Sequence, residues 1–285
     1  MAYRCFEVTT VGKVAHVQLK RPDELNTMVP EFWTELPEIV DGISAAGDAR
    51  AIVLSSTGRH FSAGMDLAVF TSDNNLTEGA GGSPRSTEQG RVRARLRETA
   101  LMLQRSFTVL EQARMPVLAA VQGGCIGGAV DMVTACDCRY ATADAFFVIQ
   151  EINIGMTADV GTLQRLPKLV PEGVVRELAY TGRRMSAQRA YEVGLVNQVF
   201  DTHEELVDGT LEIAAEIATK SPLAVWGSKE MVTYARDHSV ADSLNYIATW
   251  QTGMFQPTDM LESFAAKGDK RDPDFDDLLP SPRDF

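Results

Sequence analysis

Two short runs, Arg4 to Thr10 and Val14 to Leu19, flank a Gly12-Lys13 turn signal and predict a hairpin at the start of the chain. Apolar residues then recur at Phe32, Trp33, Leu36, Ile39, Val40 and Ile43, the spacing of one helical face over Pro30 to Ile43. Ala51 to Leu54 is short and apolar, as a buried strand is. Thr71 to Gly90 is polar and rich in Gly and Ser and predicts a loop. A long helix is expected from Arg91 to Gln112, a strand at Pro116 to Val121, a helix from Gly127 to Ala135, and a return to strand over Arg139 to Ile149. Strands alternating with helices predict a mostly parallel, layered α/β sheet. From Glu172 onward the pattern is helical, with Ser186 placed to cap a helix and only Gly194 to Phe200 extended. Thr202 to Lys267 reads as several amphipathic helices, and no internal repeat is visible. The expected organisation is a core over residues 1–201 and a helical region over 202–285.

Composition narrows the partners. The chain has 285 residues, 45% of them apolar and 23% charged, enough to bury a large core. Its net charge of -12 disfavours nucleic acid and anionic membrane, which both call for a basic footprint, so neither is an expected partner. The sequence holds no 18-residue apolar run, and MAYRCFEVTT has neither signal nor Arg-rich transit character. Pro282-Arg283-Asp284-Phe285 is not a peroxisomal or reticular address, which leaves the cytoplasm as the default compartment. Cys5, Cys125, Cys136 and Cys138 form neither a disulfide framework nor a zinc spacing and read as reduced thiols.

The candidate chemistry is acidic. Asp131, Glu151 and Asp159 fall within 29 residues, among segments that otherwise read as buried strands, turns and a helix. Burial raises a carboxylate's pKa toward the range useful for proton transfer. Structural ion pairing is the competing explanation, yet Gly123 to Glu151 contains one Arg and no Lys. Asp137 and Asp144 lie beside turns and read as exposed. Two strand–turn–helix junctions accompany the carboxylates: His60 to Leu67 (HFSAGMDL) and Gly123 to Gly128 (GGCIGG). Each frees backbone N–H groups at a helix start, and two such turns could converge on one carbonyl oxygen. The second is neither a P-loop nor a dinucleotide fingerprint. His16, His60, His203 and His238 have no metal spacing and no evident partner, and Arg91 to Arg97 reads as the solvated face of a helix.

These motifs carry a resemblance. HFSAGMDL, GGCIGGAVDMVTACDCRYATADAFFVIQE and INIGMTADVGTLQRLPK, with LKRPDELNTM at Leu19 to Met28, are similar to the crotonase (enoyl-CoA hydratase/isomerase) superfamily over roughly Phe6 to Leu261. The resemblance implies a crotonase-like α/β fold, a layered ββα spiral core followed by a C-terminal α-helical oligomerisation region that forms trimers or hexamers. Within the superfamily the chain most resembles the dienoyl-CoA isomerases, which carry Asp, Glu and Asp at the positions of Asp131, Glu151 and Asp159. The related hydratases carry Glu, Glu and Gly there.

The same resemblance implies a set of roles. The N–H groups of Met65 and Gly128 form the oxyanion hole; at Met65 the isomerases have a β-branched residue, but the backbone N–H is what the role needs. Ser62, Ala63, Gly64, Asp66, Leu67 and Gly127 contact the substrate. Glu151 removes a proton from C2 and Asp159 delivers one to C6, with Asp131 as a third carboxylate that tunes Glu151. No metal or redox cofactor is expected, since coenzyme A arrives as part of an acyl-CoA substrate. Arg21, Lys267 and Lys270 are candidates for its phosphates. An enoyl-CoA hydratase on the same fold is the next reading. A non-catalytic acyl-CoA or RNA-binding homologue is the third, disfavoured by the three carboxylates and the charge.

Overall fold

The opening hairpin forms as predicted: β1 (Phe6–Val11) pairs antiparallel with β2 (Val14–Leu19), and Gly12 turns the chain at a φ of 59°. The computed structural model describes residues 3–66, 89–255 and 257–282. Helix α1 (Phe32–Ala46) buries Phe32, Trp33, Leu36, Ile39 and Val40, the face its spacing marks. It stops where Gly47 takes the left-handed conformation. Strand β3 (Ala51–Ser56) follows, and then helix α2 (Gln89–Gln112). Most of the loop expected at Thr71 to Gly90 lies outside the described residues, and Gln89 and Gly90 already belong to α2. Arg91, Arg93, Arg95 and Arg97 are exposed on that helix, as the alternating charges predict.

After β4 (Val117–Val121) come β5 (Gly124–Ile126) and α3 (Gly128–Thr134). The stretch expected as one strand over Arg139 to Ile149 divides into β6 (Cys138–Thr142) and β7 (Phe146–Val148). A turn at Ala143 and Asp144 parts them, closed by the Ala145 N–H on the Thr142 carbonyl and by the Thr142 hydroxyl on Asp144. Each half joins a different sheet, and that split builds the site. One sheet has six strands in the order β1-β2-β3-β4-β6-β9, with β9 at Gln198–Phe200, and runs parallel from β2 onward. The other has three, β5-β7-β8, with β8 at Met185–Ser186.

Both faces of the large sheet are covered, so β3 and β4 are apolar at nearly every position rather than alternating. Ile52, Leu54, Val117, Ala119 and Val121 enter the main core with α1, α2 and the small sheet. Ala51, Val53, Leu118 and Ala120 face Leu206, Ala214 and Ala218 of α7 (His203–Ala218). Packing therefore runs across the expected boundary at residue 202, because α7 closes one face of the core sheet.

Short helices α4 (Thr162–Arg165), α5 (Glu172–Thr181) and α6 (Ala187–Glu192) precede α7. Ser186 caps α6 as expected, its hydroxyl accepting the Arg189 N–H. Beyond α7 lie α8 (Pro222–Ala235), α9 (Val240–Met254) and α10 (Pro257–Asp269). Lys229 of α8 is buried, donates to the carbonyls of Leu110 and Met115 and pairs with Asp137 at 2.8 Å. Asp137 is thus a half-buried structural partner, not the exposed turn residue expected. Its other contact, the Val117 N–H, ties it to the start of β4. Asp144 is exposed as expected.

Candidate active site

The first turn leaves β3 and is laced into the chain around it. Ser62 N–H donates to the Gly124 carbonyl, Ala63 N–H to Leu25, and Asp66 N–H to Met28, while Gly64 accepts from Met28 N–H. The second turn leaves β5, where Ile126 N–H donates back to Ser62 and Gly127 N–H donates to Val148. Gly64, at a φ of 81°, lies so close to this second turn that a Cβ there would fall 2.5 Å from the Ile126 oxygen and 3.3 Å from the Gly128 nitrogen. The two junctions therefore meet. Among the described residues the N–H groups of Met65 and Gly128, one beyond each glycine, have no acceptor in the chain. Two N–H donors side by side suit a single oxyanion.

The small sheet delivers Glu151 to the same place. β5 and β7 run parallel with Ile126 opposite Val148, which brings Gly127, one residue past β5, close to Glu151, three residues past β7. A Cβ on Gly127 would lie 3.2 Å from Oε1 of Glu151. Glu151 begins a 3-10 turn, Glu151–Ile154, and its Oε2 is buried without a protein partner. Burial, reinforced by the charge of Asp131, pushes its carboxyl up to about 7. Asp131, in the first turn of α3, is fully buried; burial pushes its carboxyl up to about 6 against the opposing hydrogen bond from Thr162 N–H to Oδ1. Its Oδ2 has no protein partner. Asp159 stands exposed on the turn before α4, and the protein flanking it still raises its pKa by desolvation. A cavity of about 430 Å³ is lined by sequence neighbours of Glu151 and Asp159, Ile149, Ile152, Met156 and Ala158, together with Leu163 and Val175 among others, although neither carboxylate lines it.

The structure thus brings together Met65, Gly128, Gly64, Gly127 and Glu151, with Asp131 and Asp159 on the elements that follow. Ser62 differs from its expected substrate contact. It is fully buried, and its hydroxyl donates to the Asn26 carbonyl and accepts Gly64 N–H, so it shapes the turn from inside. Asp66 accepts from the Thr27 hydroxyl, and Ala63 is half-buried. Leu67 lies outside the described residues. Arg21 is turned inward onto the Thr27 carbonyl, with its side chain 11% exposed, which removes it from the phosphate candidates.

Three supporting residues escaped the sequence reading. Asn26, in the left-handed conformation, accepts Arg21 N–H and donates its amide to the carbonyls of Thr57 and His60, bracing the first turn. His60 accepts Gly124 N–H on Nδ1 and packs edge-on against Phe146, so it has a partner after all. Thr162 supplies the N–H for Asp131. Asn26 and Thr162 do fall inside motifs, LNTM and TADVGTLQR, but their contacts are backbone ones that sequence does not spell out.

Comparison with known proteins bears on this geometry. The family model described as enoyl-CoA hydratase/isomerase matches residues 9–278. The chain belongs to the enoyl-CoA hydratase/isomerase family. It is 45% identical over 273 residues to the mitochondrial Δ(3,5)-Δ(2,4)-dienoyl-CoA isomerase of Homo sapiens, covering 95% of this chain and 81% of that one. It is 40% identical to the peroxisomal isomerase of Arabidopsis thaliana, covering 96% and 98%. The short-chain-enoyl-CoA hydratase of Clostridium acetobutylicum is 29% identical, covering 91% and 93%. Among solved structures of the family, enoyl-CoA hydratase from Bacillus anthracis superposes with a TM-score of 0.82 at 28% identity, covering 98% and 100%. The crotonase-like α/β architecture is thereby established.

Proposed function

We propose that this family member is a dienoyl-CoA isomerase of fatty-acid oxidation, converting a 3,5-dienoyl-CoA into the 2,4-dienoyl-CoA. The observation that carries the reading is the set of three carboxylates on neighbouring elements, with Asp131 and Glu151 raised by burial and the exposed Asp159 raised by the protein that flanks it. The identity of 40–45% to named isomerases, against 29% to a hydratase, supports it.

The thioester carbonyl is held by the N–H groups of Met65 and Gly128, which favour the enolate over the neutral thioester. Ionised Glu151 takes a proton from C2, and the electron pair moves through the diene toward C6. Protonated Asp159 donates to C6, leaving double bonds at C2 and C4. Solvent then resets Glu151 and Asp159. Proton stations at the two ends of a conjugated system need carboxyl groups in opposite states; burial holds Glu151 at about 7, and desolvation moves Asp159 in the direction an acid requires. Asp131 serves by acting on Glu151. The acyl chain past C6 has an apolar wall in the cavity of Ile149, Met156 and Val175. The further chain-length contacts expected from Thr71 to Gly90 fall largely outside the described residues. No metal or redox cofactor enters this scheme.

Absorbance tests the reading directly. Incubating the protein with 3,5-dienoyl-CoA is expected to produce the new ultraviolet band of a diene conjugated with the thioester. Crotonyl-CoA hydration with no such band would hand the function to the hydratase reading.

The finer partner and compartment assignments are also proposals. We propose a trimer or hexamer, supported by the exposed apolar side chains of α9 and α10. Nucleic acid and membrane are not proposed partners, in keeping with the net charge of -12. Among the described residues no helix is long and apolar enough to cross a membrane. Four free cysteines fit a reducing compartment, and the cytoplasm is proposed. The relatives named above are mitochondrial or peroxisomal, so fractionation against markers of all three compartments decides it.

A further inference from the structure

One side chain ties helix α2 to the turn that carries Asp159 and whose Thr162 N–H holds Asp131. Arg165 ends α4 with its side chain 13% exposed, and its guanidinium reaches back over the turn that precedes the helix. Nε donates to Glu111 at 2.8 Å, Nη2 donates to the Thr108 hydroxyl at 3.1 Å, and Nη1 donates to the Val160 carbonyl at 3.4 Å. Its Nη1 points end-on at Gly161, where a Cβ would fall 1.8 Å from Nη1 and 3.1 Å from the guanidinium carbon, and where φ is 138°. That turn begins at Asp159 and ends at Thr162, whose N–H holds Asp131. Helix α2 meets it with one face: Gln104, Thr108 and Glu111 are spaced four and three residues apart, so they stack along the same side. Gln104 holds the Asp159 carbonyl at 2.8 Å, and Thr108 and Glu111 hold Arg165.

We propose that Arg165, clamped by Glu111 and Thr108, is a positioning residue for proton transfer: it fixes the Asp159–Thr162 turn so that Asp159 and Asp131 keep their places relative to Glu151. The proposal rests on the reading that these carboxylates move or tune the protons. A surface arginine with one carboxylate partner would not support it. Here three acceptors on two elements fix the plane of the guanidinium, and glycine is the residue that leaves room for it. Its charge also opposes the burial that raises Asp131. Glu111 has a second partner, Arg236 after α8, at 2.7 Å on its other oxygen. Arg236 makes no bond to the 159–162 turn, which makes it the natural control.

The test compares two reactions of the purified full chain: isomerisation of 3,5-dienoyl-CoA and exchange of the substrate C2 proton with solvent. Arg165→Met is expected to lower kcat of isomerisation about tenfold or more with KM nearly unchanged, because displacement of a reacting group costs rate rather than binding. Exchange should fall less, since Glu151 is carried by a different turn. Arg165→Lys should recover part of the isomerisation rate. Arg236→Met should lower Tm and leave the ratio of the two rates alone. Should Arg165→Met fail to fold, Arg165→Lys and Thr108→Val carry the test, each shifting the ratio in the same direction by less. Unchanged ratios in the Arg165 and Thr108 variants, or an equal change in Arg236→Met, would overturn the proposal. The carboxylate assignment fails separately, through an Asp159→Asn variant that still isomerises.

Discussion

Asp131 and Glu151 share no hydrogen bond, yet the charge of the Asp131 carboxylate adds to the burial that pushes the Glu151 carboxyl up to about 7. In its proposed role as base Glu151 must be ionised, so kcat/KM is expected to rise with pH through about 7. Asp131→Asn removes the like charge, and the rising limb should move to lower pH by about one unit. A pH profile of isomerisation checks this. A limb that stays in place would separate Asp131 from Glu151.

Stability should follow pH through the same residue. Asp131 is fully buried and its folded pKa, about 6, lies above its ordinary value of 3.8. Its neutral form is favoured on folding, so the contribution is present below about pH 4 and is lost as pH rises through about 6. The size is about 3 kcal/mol. The wild-type Tm should therefore decline over that window, and Asp131→Asn should flatten the decline. Thermal melts between pH 4 and 8 measure both slopes.

The split between proton stations predicts two different losses. Asp159→Asn should remove isomerisation by about 10²–10⁴-fold while sparing acyl-CoA binding and C2 exchange. Glu151→Gln should remove both reactions, since no charge shift can begin without C2 proton loss. Solvent-deuterium incorporation, followed by mass spectrometry, distinguishes them. Loss of exchange in folded, ligand-binding Asp159→Asn would contradict the division of labour.

The proposed oxyanion pair depends on a glycine. Gly64→Ala forces a side chain into left-handed backbone, a strain of about 1–3 kcal/mol, and drives its Cβ at the Ile126 oxygen. The turn must shift, carrying Met65 N–H away from Gly128. The expected loss is about 10²–10³ in kcat, the cost of one misplaced oxyanion donor. Steady-state kinetics together with a melt will show whether the rate falls further than stability alone explains.

Much of this site was legible in the sequence because strand-to-turn junctions and carboxylates are written locally. Gly64, Gly128, Glu151 and Asp159 could be named from motifs, and the helix of Phe32 to Val40 from its period. The division of β6 from β7 could not, because Ala141 to Ile149 is largely apolar and the break depends on how the two polar residues in it, Thr142 and Asp144, bond to each other in a turn. Asp137 read as exposed because its partner, Lys229, is far away in sequence, and only packing of α8 against the core joins them. The inward hydroxyl of Ser62 has the same cause. A turn motif announces backbone donors, but which side chains close it from beneath is decided by Asn26, one strand away.

Assembly is the last expectation. Trp226 and Trp250 do not wait for a partner, since they pack edge to face at 5.1 Å across α8 and α9. Phe255 and Phe264, by contrast, are exposed, and so are Val240, Leu244 and Leu261 on α9 and α10. Several large apolar side chains exposed on neighbouring helices are costly to leave in water and mark a contact surface. Light scattering is expected to give a trimer or hexamer at micromolar protein. Leu261→Glu combined with Phe264→Glu should shift it toward monomer with helix content retained. Those two residues already face solvent within the protomer, so the fold loses little. A wild-type protein that stays monomeric at that concentration would leave the surface without this role.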